Sequence, residues 1–147
     1  MFAAGDLALK AVPSEKMISL MYSTGFRLTG SHQAAILLVK KALGKYEGKS
    51  SPAPAEAVKS LCRAFIMESA DWVLAGGDDV NPVQKELLKL EPRERTAVIL
   101  RDHLGFSYAE IAGVAMAGEN DVAATIAAAR YKLKNRLTEK AASLNDD

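Results

Sequence analysis

The chain has 147 residues, 49% of them hydrophobic and 25% charged, which is the balance of a protein that folds into one domain or two small helical ones. Its net charge is +1 and its pI about 7.8, which excludes a broadly basic nucleic-acid coat and leaves any phosphate contact to a local patch. The single cysteine, Cys62, excludes an internal disulfide and reads as a buried thiol in a reducing compartment.

Residues 1–13 are small and weakly patterned, and Pro13 closes them. Ser14 is the expected N-cap of a helix running to about Thr29, with Met17, Ile18, Leu20, Met21, Phe26 and Leu28 as its apolar positions. Gly25 weakens its interior. A second helix is expected from about His32 to Tyr46. Its apolar residues, Ile36 to Val39 with Ala42 and Leu43, cover more than one stripe, so it is largely buried or holds a partner with its spare face. Residues 47–54 hold one glycine, two serines and two prolines and form the clearest loop.

Val58, Leu61, Cys62, Phe65, Ile66, Ser69, Trp72 and Val73 recur at helical steps and predict a third helix from about Ala55 to Leu74. Trp72 reads as part of its core side. A linker at 76–82 then leads to a short helix over Val83 to Leu90. After Pro92 comes an apolar run, Ala97 to Leu100, closed by Arg101. Ser107 and Glu110 make a capping box, Ile111 and Val114 give the next short helix its apolar face, and the pattern breaks at Met116 to Gly118. Glu119 to Asp121 restart it with acidic residues, where a helix N-terminus favours them. Two helices joined by a short turn, the second longer, form a helix-turn-helix. The expected architecture is all-α: one unit over residues 1–75, a linker at 76–82, and a second unit of about four helices over 83–147.

The stretch from Leu90 to Leu137 resembles region 4, the promoter-reading domain of sigma-70-family factors of the extracytoplasmic-function type. The residues that carry the likeness are Leu90, Pro92, Arg95, Ala97 to Arg101, Gly105, Ser107, Tyr108, Glu110, Ile111 and Ala112, then Val122, Arg130, Lys132 and Leu133. Residues 22–74 resemble region 2 more faintly, through Phe26 to Gly30, Ala35, Leu38, Val39, Leu61, Arg63 and Asp71. The resemblance implies a protein of transcription initiation whose partners are RNA polymerase core and promoter DNA. It also implies an anti-sigma protein as a further partner.

On that resemblance, DNA contact falls to Asn120, Thr125, Arg130, Lys132 and Lys134 on the last helix. Polymerase or another protein partner falls to Ile36, Leu37, Lys40 and Lys41 on the second. This chain departs from the family at several such positions. Ala34, Ile36 and Leu37 stand where acidic residues are usual, Lys40 and Lys41 replace a Gln-Glu pair, and Ile66, Met67 and Leu74 replace polar or basic ones. The reading helix carries Ala123, Ala124 and Thr125 in place of a Lys-Ser-Arg run. Base readout in the major groove needs long donors or amides near the start of that helix. The alanine face therefore packs closely on neighbours or docks a protein. The basic cluster from Arg130 to Lys140 either meets phosphate or serves the helix macrodipole as a solvated end. From Val83 to Lys140 there are ten Lys and Arg against eight Asp and Glu, a small surplus for a DNA-binding unit.

These departures support a second reading, a sigma-like mimic that binds an anti-sigma protein or another partner without reading DNA. A third is a homodimer that buries the apolar face of Ile36 to Leu43 against itself. Nothing in the chain asks for an enzyme, a metal or a cofactor. His32 and His103 have no ligand-spaced partners, and no phosphate loop, dinucleotide fingerprint or zinc pattern appears. With no signal peptide or membrane span in the sequence, the expected location is the cytoplasm.

Overall fold

A serine opens each of the first two helices in the computed structural model, which describes residues 14–68 and 82–145 apart from the side chains of Lys140 and residues 142–145. Ser14 Oγ accepts from the Met17 amide at 3.1 Å and starts α1, Glu15–Thr29. Ser31 Oγ accepts from the Ala34 amide at 3.2 Å and starts α2, His32–Gly44. Each bond satisfies one of the donors that a helix start leaves unpaired. Gly30 ends α1 in the left-handed region, φ 71°, with its amide on Phe26 O at 2.7 Å. α3, Pro54–Met67, opens on a proline, whose missing N–H is unneeded there. The rest of the expected third helix, Trp72 included, lies outside the described residues, as does the linker up to Asn81. Pro82 is the first residue of α4.

α1, α2 and α3 pack around Met17, Met21, Leu28, Leu38, Val58, Leu61 and Phe65, all buried. Gly25 has a packing reason. A Cβ there would stand 3.2 Å from Ala35 Cα, so the missing side chain lets α1 and α2 approach closely. Only part of the broad apolar set on α2 is covered. Ala34, Ala35, Leu38, Val39 and Ala42 face the core, while Ile36 and Leu37 are 46% and 47% exposed.

The second half runs α4, Pro82–Leu88; α5, Pro92–Val98; α6, Tyr108–Ala115; and α7, Glu119–Asn145. There is no strand among the described residues. The apolar run after Pro92 does not continue as regular α-helix. Ile99–His103 form a π-turn, in which the Leu104 amide reaches back five residues to Ile99 O at 3.1 Å. Ser107 and Glu110 form the expected capping box, with two reciprocal bonds of 3.1 Å. Met116 closes α6 at φ 55°, an uncommon conformation for a residue with a side chain.

The two halves share one continuous apolar cluster, reaching from Met17 and Phe65 to Ile111 and Ile126. Polar groups fix the junction. Arg95, buried, donates to Leu87 O at 2.9 Å, Leu88 O at 2.9 Å and Leu90 O at 2.8 Å, and reaches across to Leu28 O near the end of α1. Burial lowers its pKa to about 10. Gln84 Nε2 donates to Arg27 O at 2.8 Å and shares Phe26 O, at 3.3 Å, with the Gly30 amide, so Gln84 and Arg95 together supply donors to the Arg27 and Leu28 carbonyls at the C-terminus of α1. Arg63 Nη2 donates to Gly113 O at 2.9 Å, and Lys59 Nζ lies 3.2 Å from Glu110 Oε2.

Candidate nucleic-acid and partner interface

α6, the turn at Met116 to Gly118 and α7 form the helix-turn-helix. Val122, Ile126 and Ala129 follow helical steps and are buried, which fixes the rotation of α7 about its axis. At 100° per residue, the opposite face carries Asn120, Ala124, Ala127, Tyr131 and Lys134. All five are exposed. Tyr131 is 68% exposed and eleven residues from Asn120, three turns along the same face. Tyr131 is not among the positions expected at DNA, although its helical spacing from Asn120 is plain in the sequence.

The five positions expected at DNA fall into three groups. Asn120 and Lys134 point outward on one side of α7, about 21 Å apart along the axis at 1.5 Å per residue. Thr125 is half-buried. Arg130 and Lys132 are engaged within the protein. Arg130 forms a two-pronged ion pair with Asp102 on the π-turn, Nε to Oδ2 at 2.9 Å and Nη2 to Oδ1. This fork geometry is among the stronger polar contacts. It holds the Asp102 carboxyl below its ordinary range.

Lys132 Nζ lies 3.0 and 2.7 Å from the two oxygens of Glu94, on the first turn of α5. Glu94 also accepts from the Glu91 amide at 3.1 Å. Burial acts to raise the Glu94 pKa, and the bonds from Lys132 and the Glu91 amide outweigh it and hold it low. Both cations therefore tie α7 to the rest of its own unit. Neither tie was legible in the sequence, because Asp102 and Glu94 lie 28 and 38 residues away. At the start of α7, Glu119 and Asp121 are exposed beside Asn120. Two carboxylates therefore stand beside Asn120, a charge that opposes phosphate.

The positions expected at polymerase or another protein lie on the outer face of α2. Ile36, Leu37 and Lys40 are exposed, and Lys41 is ion-paired with Glu68. Two more apolar side chains reach solvent, Met67 at 67% and Met116 at 61%. His32 stacks on Phe26 with ring centres 4.6 Å apart and shares a hydrogen bond with the Tyr22 hydroxyl, a packing role. Among the described residues no group of three or more His, Cys, Asp or Glu could hold a metal ion. Cys62 is buried, and burial pushes its thiol up to about 12, which makes it unreactive. No described helix is long and apolar enough to cross a membrane.

Comparison with known proteins bears on this geometry. Residues 81–133 match the family described as Sigma-70, region 4. Among solved structures the chain is similar to the sigma factor RpoE from Bartonella quintana, crystallised in complex with the anti-sigma factor NepR. The two share 21% sequence identity and a TM-score of 0.67, over 84% of this chain and 92% of that one. At that identity the likeness is one of fold. No curated protein matches the sequence. Residues 81–133 thus match sigma-70 region 4 and carry its expected capping and turn chemistry, and the chain shares the all-α fold of a solved sigma factor.

Proposed function

We propose that the protein directs or regulates transcription initiation as a sigma factor of the extracytoplasmic-function type. In this reading α1–α3 dock RNA polymerase core, and the helix-turn-helix of α6 and α7 meets promoter DNA. The observation that carries it is the region 4 match over residues 81–133, together with a reading helix whose outer face is open to solvent at Asn120, Tyr131 and Lys134.

A second reading is favoured by the ion pairs. Arg130 and Lys132 are occupied by Asp102 and Glu94, and the first turn of α7 is acidic. Few cations are left to neutralise phosphates, on which affinity for DNA largely rests. Ile36, Leu37, Met67 and Met116 meanwhile expose apolar surface suited to a protein. In this reading the chain binds an anti-sigma protein or a similar partner and does not read DNA. The structurally similar RpoE was solved with such a partner.

A gel shift on promoter DNA, run beside a pull-down with core polymerase, separates the two. Binding to core with promoter-dependent initiation supports the first reading and sinks the second. Failure in both assays, with a stable complex to an anti-sigma protein, does the reverse.

A further inference from the structure

Where the last turn of α1 meets α4, the π-turn and the middle of α7, the packing leaves a cavity of about 230 Å³. Leu87, Ile99 and Leu133 make its apolar wall, and Arg27, Asp102 and His103 are its polar lining. Asp102 directs both its oxygens to Arg130 and forms no ion pair with Arg27. Arg27 makes no ion pair or hydrogen bond through its side chain among the described residues, and its Nε is buried without an acceptor. Arg27 itself lines the cavity, so its guanidinium is a charged group there without an acceptor from the chain. The charge of Arg27 reaches His103, whose pKa is lowered first by burial and then by that charge. The cavity is therefore apolar along its wall and positive at one side.

The local backbone is unusual in the same place. Ile99 and His103 are the two ends of the π-turn, a distortion frequently found at functional sites. Pockets that take small molecules favour junctions between packed units and combine an apolar lining with a few placed polar groups. At about 30 Å³ for each water in the liquid, its volume equals that of roughly seven or eight waters.

We propose that the cavity binds a small aliphatic carboxylate, its carboxyl group on the Arg27 guanidinium and its chain along Leu87, Ile99 and Leu133. Such a ligand touches α1 on one side and α4, the π-turn and α7 on the other. It joins the two halves of the molecule through a site separate from the outer faces of α2 and α7.

Sodium hexanoate, with eight heavy atoms, is the probe, titrated into the full chain and followed by methyl NMR. Saturable shifts at Leu87, Ile99 and Leu133 are expected. Hexylammonium, the same body with the opposite charge, should bind at least about tenfold more weakly, and Arg27→Gln should weaken hexanoate by a similar factor. Val83→Trp gives a second test that spares the core. Val83 lines the cavity yet is 50% exposed, so a larger ring there should block hexanoate without unfolding the chain. Equal binding of the two probes overturns the proposal, and so do shifts centred elsewhere, an absence of saturation, or indifference to both substitutions.

Discussion

Arg95 donates to four backbone carbonyls, and three of them, on Leu87, Leu88 and Leu90, lie within eight residues of it. The fourth, Leu28 O, is 67 residues away and belongs to the other half of the molecule. Replacing Arg95 by Met keeps much of the volume and leaves these acceptors without a partner. Each buried unpaired group costs on the order of 1–3 kcal/mol, with partial relief from relaxation, so a net loss of about 3 kcal/mol is expected. In a chain of this size that lowers Tm by about 6–12 °C, measurable by calorimetry. Glu94 offers a pH test. Its pKa is lowered in the folded protein, so its stabilisation is complete above the unfolded value near 4.3 and is lost as pH falls through the lower folded value. Glu94→Gln should cost about 1 kcal/mol at pH 7 and flatten the fall in stability below about pH 4. Chemical denaturation at a series of pH values reads both effects. Arg95 was visible in the sequence as part of a family pattern, but its role was not. Its partners are backbone groups, which carry no sequence signal.

Elements were legible where local chemistry sets them. Ser14 and the Ser107–Glu110 box cap their helices as the sequence led one to expect, because a cap is decided within four residues. Ser31, not expected as a cap, closes the start of α2 in the same way. The π-turn was not legible. Ile99 and Leu100 continue an apolar helical pattern, and nothing in that pattern marks a widened turn. Gly30 joins the two kinds of information. Its left-handed φ is a C-cap property, whereas the close contact beneath it comes from a distant helix. A Cβ there would stand 2.6 Å from Leu88 Cδ1 on α4. Gly30→Ala should therefore destabilise by about 2–3 kcal/mol, compared with about 1 kcal/mol for Gly48→Ala, where φ is 76° but nothing lies within 4 Å. Equal losses in thermal unfolding would mean that the Leu88 contact adds nothing. α7 divides the same way. Its buried stripe of Val122, Ile126 and Ala129 follows from period, while the occupation of Arg130 and Lys132 does not.

On the scale of the whole molecule, the sequence divides into two patterned halves with a linker between them, and nothing in that pattern says how the halves meet. The surfaces that join them look like ordinary core. Phe65 and Leu28 on one side and Leu87 and Leu90 on the other are simply buried apolar residues. Solution scattering tests the closed arrangement. A compact chain of 147 residues should give a radius of gyration of about 15 Å. Separately tumbling halves would give a clearly larger value.

The Arg95 junction also sets terms for any partner that touches both halves. One that fits the closed arrangement binds every molecule in solution. One that needs α1–α3 drawn away from α4–α7 binds only the open fraction, and its apparent affinity falls by that fraction. If the junction holds the closed state by about 3 kcal/mol, the penalty is roughly 150-fold. Arg95→Met would then weaken the fold and yet strengthen the second kind of partner, so a single substitution sorts candidate partners by the shape of the protein they recognise.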